Sequence, residues 1–169
     1  MVKESTVEFG TKNEKLVQKK LWQYGYKVKH FGGAKYNSGF DLLVENTFKL
    51  EVKSRTFKNF SFHFIGEPCD KDCIAYAWAF VFCYPDGTKQ IRYAKTSELC
   101  EYLRNNPNSN KKLLPPGATM AQRILLANPN VAPLHKSPFK VFGKPKKVER
   151  VGNPQKMRNN ANLEAIRSN

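Results

Sequence analysis

Three ionisable side chains in one predicted hairpin have the types and spacing for metal-ion chemistry. Between Gly39 and Arg55, two apolar runs flank the turn-like triplet Glu45-Asn46-Thr47, a pattern that predicts a β-hairpin. A three-residue loop would place Asp41 opposite Glu51, with Lys53 on the same face, because side chains alternate along a strand. Two carboxylates at that distance can hold a hard divalent cation, and a lysine beside them can orient a water or stabilise charge on a phosphate.

The same hairpin has a second interpretation. Its other face is apolar and consists of Phe40, Leu42, Val44, Phe48, Leu50 and Val52. An ordinary amphipathic hairpin would also bury this face and leave the charged residues in water. A two-residue turn would separate Asp41 from Glu51 and remove the metal site, because a one-residue change of register moves a side chain to the opposite face. The local pattern leaves both interpretations open.

Asp41 followed by Glu51-Val52-Lys53 resembles the PD-(D/E)XK nuclease superfamily, with Phe40 at a position that is often proline. Upstream and flanking residues extend the resemblance to archaeal Holliday junction resolvases and to the PD-(D/E)XK branch of group I intron homing endonucleases. These residues are Asn13 to Val17, Gly25 to Val28, Gly32-Gly33, Ser38 and Ser54-Arg55. The resemblance covers roughly the first 100 residues.

The resemblance implies a site that binds Mg²⁺, for which Mn²⁺ can substitute. Asp41, Glu51 and the Val52 carbonyl would be metal ligands, and Lys53 would orient the attacking water. Glu14 would be a further catalytic acid, supplied by the first helix. It also has a structural interpretation, because Thr11-x-x-Glu14 fits a capping box for a helix that begins at Thr11. Either role is open to it.

The order of predicted elements indicates an α/β fold with a mixed central sheet flanked by helices. Leu16, Val17, Leu21 and Trp22 recur at helical spacing and should face the sheet, and Gly25 ends this helix. Strands are predicted at residues 26–31, 60–65, 72–84 and 89–94, in addition to the hairpin at 39–55, with a turn at 85–88 and a second helix at 96–104. The continuous apolar run at 72–84 suits a sheet that is covered on both faces. The resemblance implies that these elements form a restriction-endonuclease-like core.

The chain has 169 residues, and its 29 Lys and Arg against 14 Asp and Glu give a formal charge of +15. Such a balance favours a polyanionic partner, most often nucleic acid, although a basic protein can also simply be soluble. The resemblance implies that this partner is double-stranded DNA. No apolar run approaches the about 20 residues that span a membrane, and residues 1–10 lack the apolar core of a signal peptide. We therefore expect no membrane partner and a cytoplasmic protein, and the resemblance implies a prokaryotic or phage-like context.

The four cysteines have two interpretations. Cys69-x3-Cys73 together with His63 could suggest zinc, but no second paired spacing follows. Cys83 and Cys100 lie in apolar patterns, which favours buried free thiols in a reducing compartment.

Composition divides the chain into a nuclease core at residues 1–104 and a basic DNA-binding extension at 105–169. A short helix is predicted at 119–127, and Phe139, Val141 and Phe142 interleave with lysines near the end. The extension suits an arm that orders on DNA, although a solubilising tail has the same composition. The predicted DNA contacts are Lys35, Ser38, Arg55, Lys58, Arg123, Lys140, Lys144, Lys146 and Lys147.

The resemblance implies a site-specific, homing-type DNA endonuclease, because residues 72–99 also resemble the intron endonuclease branch and small resolvases generally lack a basic extension. A homodimer or higher homo-oligomer is expected, because cutting two strands needs two active sites. A Holliday junction resolvase is the first alternative, and a non-catalytic nucleic-acid-binding protein is the second.

Overall fold

The structure is a computed structural model and describes residues 5–32, 39–56, 67–69, 71–105 and 133–145. It is an α/β fold built on a five-stranded mixed sheet in the order β1-β2-β3-β4-β5. The strands are β1 (Val28–His30), β2 (Leu42–Val44), β3 (Phe48–Thr56), β4 (Ala77–Cys83) and β5 (Lys89–Lys95). The helices are α1 (Thr6–Gln23), α2 (Thr96–Asn105) and α3 (Phe139–Phe142), with a 3-10 turn at Glu67–Cys69.

The β2–β3 hairpin confirms the predicted three-residue loop. Val44 pairs with Phe48 and Leu42 with Leu50, which leaves Glu45, Asn46 and Thr47 in the turn. Glu45 and Asn46 have φ of 53° and 54°, so the turn uses two consecutive left-handed residues. Thr47 stabilises it through its hydroxyl, which donates to the Glu45 carbonyl at 3.0 Å.

Helix α1 begins at Thr6, so the predicted start at Thr11 is wrong. Ser5 and Glu8 form a reciprocal capping box: the Ser5 hydroxyl accepts from the Glu8 N–H at 3.2 Å, and the Glu8 carboxylate accepts from the Ser5 N–H at 2.9 Å. This box satisfies the first free N–H groups more than a turn upstream of Thr11. Glu14 is consequently an interior residue of the helix and does not cap it.

Helix α1 covers one face of the sheet with Val17 and Leu21, both fully buried. Trp22 was predicted to face the sheet with them but is largely exposed; its indole N–H donates to the Val28 carbonyl at 3.3 Å. The helix ends before Gly25, whose φ of 93° allows the chain to turn into β1.

All seven residues of β4 are buried, which confirms a strand covered on both faces, although the strand begins at Ala77 and not at the predicted residue 72. Its small side chains Ala77, Ala79 and Val81 face α1, whereas Trp78, Phe80 and Phe82 face α2. Because alanine occupies little space, α1 can pack close to the sheet, while the aromatic side chains fill the α2 side. β4 is parallel to β3 and antiparallel to β5.

The segment 133–145 packs against the core. His135 exchanges two backbone hydrogen bonds with Tyr93 of β5, at 2.9 and 2.8 Å. Val141 and Phe142 of α3 are buried in the same cluster as α1, and the Tyr26 hydroxyl donates to the Gly143 carbonyl. These aromatic and aliphatic residues of the predicted basic extension therefore serve the hydrophobic core.

Several predicted features lie outside the described residues: the strand at 60–65 with His63, and the helix at 119–127. All four cysteines are free thiols, with Cys83 and Cys100 buried. No helix within the described ranges is long and apolar enough to cross a membrane.

Candidate active site

Two carboxylates from distant parts of the chain converge beside Gly32. A β-carbon added to Gly32 would overlap Glu14 Oε2 and would lie 3.2 Å from Asp41 Oδ1. Glu14 comes from the middle of α1, while Asp41 directly precedes β2. The absence of a side chain at Gly32 therefore creates the space in which the two carboxylates approach each other.

Glu14 is held by a residue that the sequence-based prediction missed. His30 Nε2 lies 2.7 Å from Glu14 Oε2, and both side chains are mostly buried, with 21% and 12% exposure. His30 is the last residue of β1 and pairs with Leu42, so its side chain faces α1 like that of Val28. The alternation of Tyr26, Val28 and His30 in the sequence was a signal for this placement.

Asp41 ends the regular β2–β3 pairing. Its carboxylate Oδ2 accepts a hydrogen bond from the Val52 N–H at 2.8 Å, and its own N–H donates to the Leu50 carbonyl at 3.0 Å. The side chain thus supplies an acceptor to β3 where the strand pairing stops. Val52, the predicted ligand through its carbonyl, is fixed next to Asp41 by this contact.

The electrostatic environment of Asp41 connects both groups of the site. Burial raises the pKa of Asp41, and the nearby Glu14 carboxylate raises it further. The Val52 N–H, the Lys53 ammonium and His30 act in the opposite direction without cancelling the rise. Burial and a second carboxylate both disfavour the ionised form of Asp41, and a bound cation would favour it.

Glu51 and Lys53 form an ion pair at 2.9 Å on the face of β3 opposite Leu50 and Val52. The Lys53 ammonium also lies 5.8 Å from the centre of the Trp78 ring. Glu51 and Trp78 line an open pocket of about 330 Å³, together with Gly39, Asp72, Cys73, Ile74 and Ala75. Glu51 is therefore accessible from solvent through this pocket.

The structure thus brings Glu14 next to Asp41 and pairs Glu51 with Lys53. The Lys53 ammonium is close enough to Asp41 to lower the pKa of that carboxyl. Across the described ranges, no three His, Cys, Asp or Glu side chains are grouped so as to hold a metal ion.

Of the predicted DNA contacts, Arg55, Lys140 and Lys144 are exposed. The others lie outside the described residues, namely Lys35, Ser38, Lys58, Arg123, Lys146 and Lys147.

Comparison with known proteins gives no relative: the chain matches no protein-family model, no curated protein and no solved structure.

Proposed function

We propose that this protein is a Mg²⁺-dependent endonuclease that hydrolyses phosphodiester bonds in double-stranded DNA. The observation that carries the proposal is the convergence of the Glu14 and Asp41 carboxylates beside Gly32, within electrostatic reach of Lys53 and its partner Glu51. A protein with a charge of +15 suits a polyanion, yet carboxylates alone repel phosphate. A divalent cation between the carboxylates and the phosphate would offset this repulsion.

The residues fit a hard cation by the chemistry of their donors. Glu14 and Asp41, which meet beside Gly32, offer the oxygen ligands that Mg²⁺ prefers, and Glu51 and the Val52 carbonyl are further predicted ligands. When bound, Mg²⁺ would polarise a phosphate oxygen and lower the pKa of a bound water. The protein contributes orientation: the Val52 N–H fixes Asp41, and His30 fixes Glu14.

Lys53 is positioned to act on the water and the phosphate. Its ammonium is held by Glu51 and the Trp78 ring, and an ammonium has three donors. It would orient a water for direct attack on phosphorus and stabilise negative charge as the leaving oxygen departs. This route needs no covalent enzyme intermediate.

The test is cleavage of supercoiled plasmid with Mg²⁺ or with a chelator. Glu51→Gln should lose cleavage, and Lys53→Ala should slow it by on the order of 10²- to 10³-fold, as for removal of one charge-stabilising donor. Lys49→Ala is the matched control, because Lys49 lies on the same strand but packs over Phe40 at 5.5 Å. Full Mg²⁺-dependent cleavage by Glu51→Gln would refute the proposal.

Site-specific, homing-type cleavage and a restriction-endonuclease-like core belong to the same proposal. The order helix, strand, hairpin, strand, strand supports that core, and a homodimer would supply one active site for each DNA strand. A cloned target and a synthetic four-way junction separate the homing function from junction resolution. DNA binding without any cleavage would favour the non-catalytic alternative.

A further inference from the structure

A basic pocket lies between α1, β5 and the segment 133–145. It has a volume of about 340 Å³ and is lined by Lys20 of α1, Lys89 at the start of β5 and Lys136 of the segment 133–145. No carboxylate occurs among the described residues that line it. Three cationic side chains from three separate parts of the chain therefore surround one concave site, which favours an anionic ligand.

One residue that lines the pocket, Tyr93, carries a buried hydroxyl that has no hydrogen-bond partner among the described residues. Tyr93 is 1% exposed. Burial raises the pKa of Tyr93, and the neighbouring Tyr24 and Tyr26 raise it further. The hydroxyl is therefore protonated at neutral pH and can donate a hydrogen bond. Buried polar groups normally have a hydrogen-bond partner, and an acceptor oxygen in the pocket would supply one.

The architecture of the pocket is fixed on two sides. Lys89 Nζ donates to Asn13 Oδ1 at 2.7 Å, and Asn13 is fully buried in α1. The backbone pairing of His135 with Tyr93 places Lys136 at the edge of β5. Gly87 lines the pocket and has open space where a side chain would be, which leaves access from solvent.

We propose that this basic pocket binds a phosphate group, supplied by the backbone of the nucleic acid. Phosphate offers several acceptor oxygens and a negative charge to three ammonium groups and one hydroxyl donor. DNA is chosen as the source because the whole chain carries a charge of +15. The choice of DNA rests on the proposed function, whereas the pocket itself does not.

The first test measures thermal stability in inorganic phosphate against chloride at equal ionic strength. Phosphate should raise the Tm of the parent, and the double substitution Lys20→Gln/Lys136→Gln should abolish this rise. Lys19→Gln/Lys27→Gln is the control, because it removes the same charge from exposed lysines outside the pocket. Tyr93→Phe should fold with no decrease of Tm in chloride and respond less to phosphate. Equal responses of the pocket and control variants would overturn the site.

The second test identifies the source of the phosphate by DNA binding in a chelator, where cleavage plays no part. Relative to the control, Lys20→Gln/Lys136→Gln should flatten the log–log salt dependence of duplex binding by roughly 0.9, the value for one neutralised phosphate. An unchanged slope would overturn the DNA assignment and leave free phosphate as the ligand. Absence of cleavage activity in the parent with an intact phosphate response would refute the nuclease proposal alone.

Discussion

The pKa of Asp41 depends on both parts of the candidate site, the Glu14–His30 contact and the Lys53 ammonium. Burial and the Glu14 carboxylate raise its pKa, while the Val52 N–H, Lys53 and His30 lower it by less. Since the folded-state pKa lies above the unfolded value, the ionised Asp41 reduces stability above its folded pKa. This cost is relieved as the pH falls towards and below the unfolded pKa. The ionised Asp41 carboxylate therefore lowers the stability of the fold, which fits a role in binding a cation.

We therefore expect Asp41→Asn, at neutral pH in a chelator, to resist urea at least as well as the parent. The amide removes the buried charge and can still accept the Val52 N–H. Mg²⁺ should stabilise the parent and have no effect on the variant, because only the parent binds the ion. Equal stabilisation of both by Mg²⁺ in urea denaturation would exclude Asp41 as a ligand.

Asp86→Asn is the matched control for this substitution. Hydrogen bonds from the Thr88 hydroxyl and N–H lower the pKa of Asp86, so its ionised form favours the folded state above the unfolded pKa. The same Asp-to-Asn change should here reduce stability at neutral pH and leave the Mg²⁺ response intact. The two variants thus differ in the sign of the stability change and in the response to metal.

Gly32 provides a test of Glu14 that leaves Glu14 in place. A β-carbon at Gly32 would overlap Glu14 Oε2 and lie 2.7 Å from its Cδ, so the flexible end of Glu14 must move. We expect Gly32→Ala to fold, to weaken Mg²⁺-dependent stabilisation, and to slow cleavage by on the order of 10- to 100-fold, as for removal of a group that orients a ligand. Plasmid cleavage and urea denaturation with Mg²⁺ measure both effects.

Gly10→Ala is the control for Gly32→Ala. The added β-carbon would meet Glu14 Oε1 at 3.9 Å, an ordinary contact, and alanine should stabilise the helix by about 0.5–1 kcal/mol. Its cleavage rate should equal that of the parent. If Gly32→Ala also cleaved at the parent rate, the position of the Glu14 carboxylate would have no role in catalysis.

At the scale of elements, the hairpin and β4 were predictable because their signals are local. A turn triplet and alternating side chains determine β2 and β3, and a continuous apolar run determines β4. The helix start was not predictable from Thr11-x-x-Glu14, because Ser5-x-x-Glu8 is an equivalent capping box more than a turn earlier. Which of the two capping boxes begins the helix depends on the tertiary packing that stabilises the helix, and the local sequence does not contain that information.

The Glu14–His30 contact was not predictable either, since it joins α1 to β1 through tertiary packing. The same holds for α3, where interleaved lysines concealed Val141 and Phe142 as core residues. Phe142 contacts the rings of Tyr26, Phe48 and Tyr76, which come from three other parts of the chain. Composition describes the average character of a segment and cannot identify the few side chains that it buries.

If α3 is part of the core, Phe142→Ala should reduce the free energy of unfolding by about 3–5 kcal/mol, as for other buried phenylalanines. Phe139→Ala should cost distinctly less, because Phe139 is 37% exposed, with an edge-on contact to the Tyr24 ring and a tilted contact to the Tyr26 ring. Urea denaturation of both variants measures the difference. Equal small decreases would mean that α3 adds little to the stability of the core.

At the scale of the whole molecule, positive charge is spread over the core and the end of the chain. Arg55, Lys140 and Lys144 are exposed in the described part, and the basic pocket adds three lysines. Residues 146–169 contribute six basic and two acidic residues. Because segment 133–145 packs against the core, a truncation that tests the basic end must leave that segment intact.

A chain that ends at Pro145 meets this requirement, since it keeps α3 and the hydrogen bond between Tyr26 and Gly143. We expect an unchanged free energy of unfolding but weaker DNA binding, with a salt dependence flatter by roughly 0.9 for each phosphate that the shortened chain no longer neutralises. Discrimination between target and random duplex should also fall, whereas Mg²⁺-dependent cleavage of random duplex should remain. Fluorescence anisotropy across a range of salt concentrations measures the slope.

The control is the full-length chain with the six basic residues of 146–169 replaced by glutamine. It should reproduce the flatter slope if the end of the chain acts through its charge, because neither variant can neutralise phosphates with these side chains. A slope that matches the parent in both variants would contradict the prediction. The phosphates would then be bound by the core, where Arg55, Lys140, Lys144 and the basic pocket supply cations within the described residues.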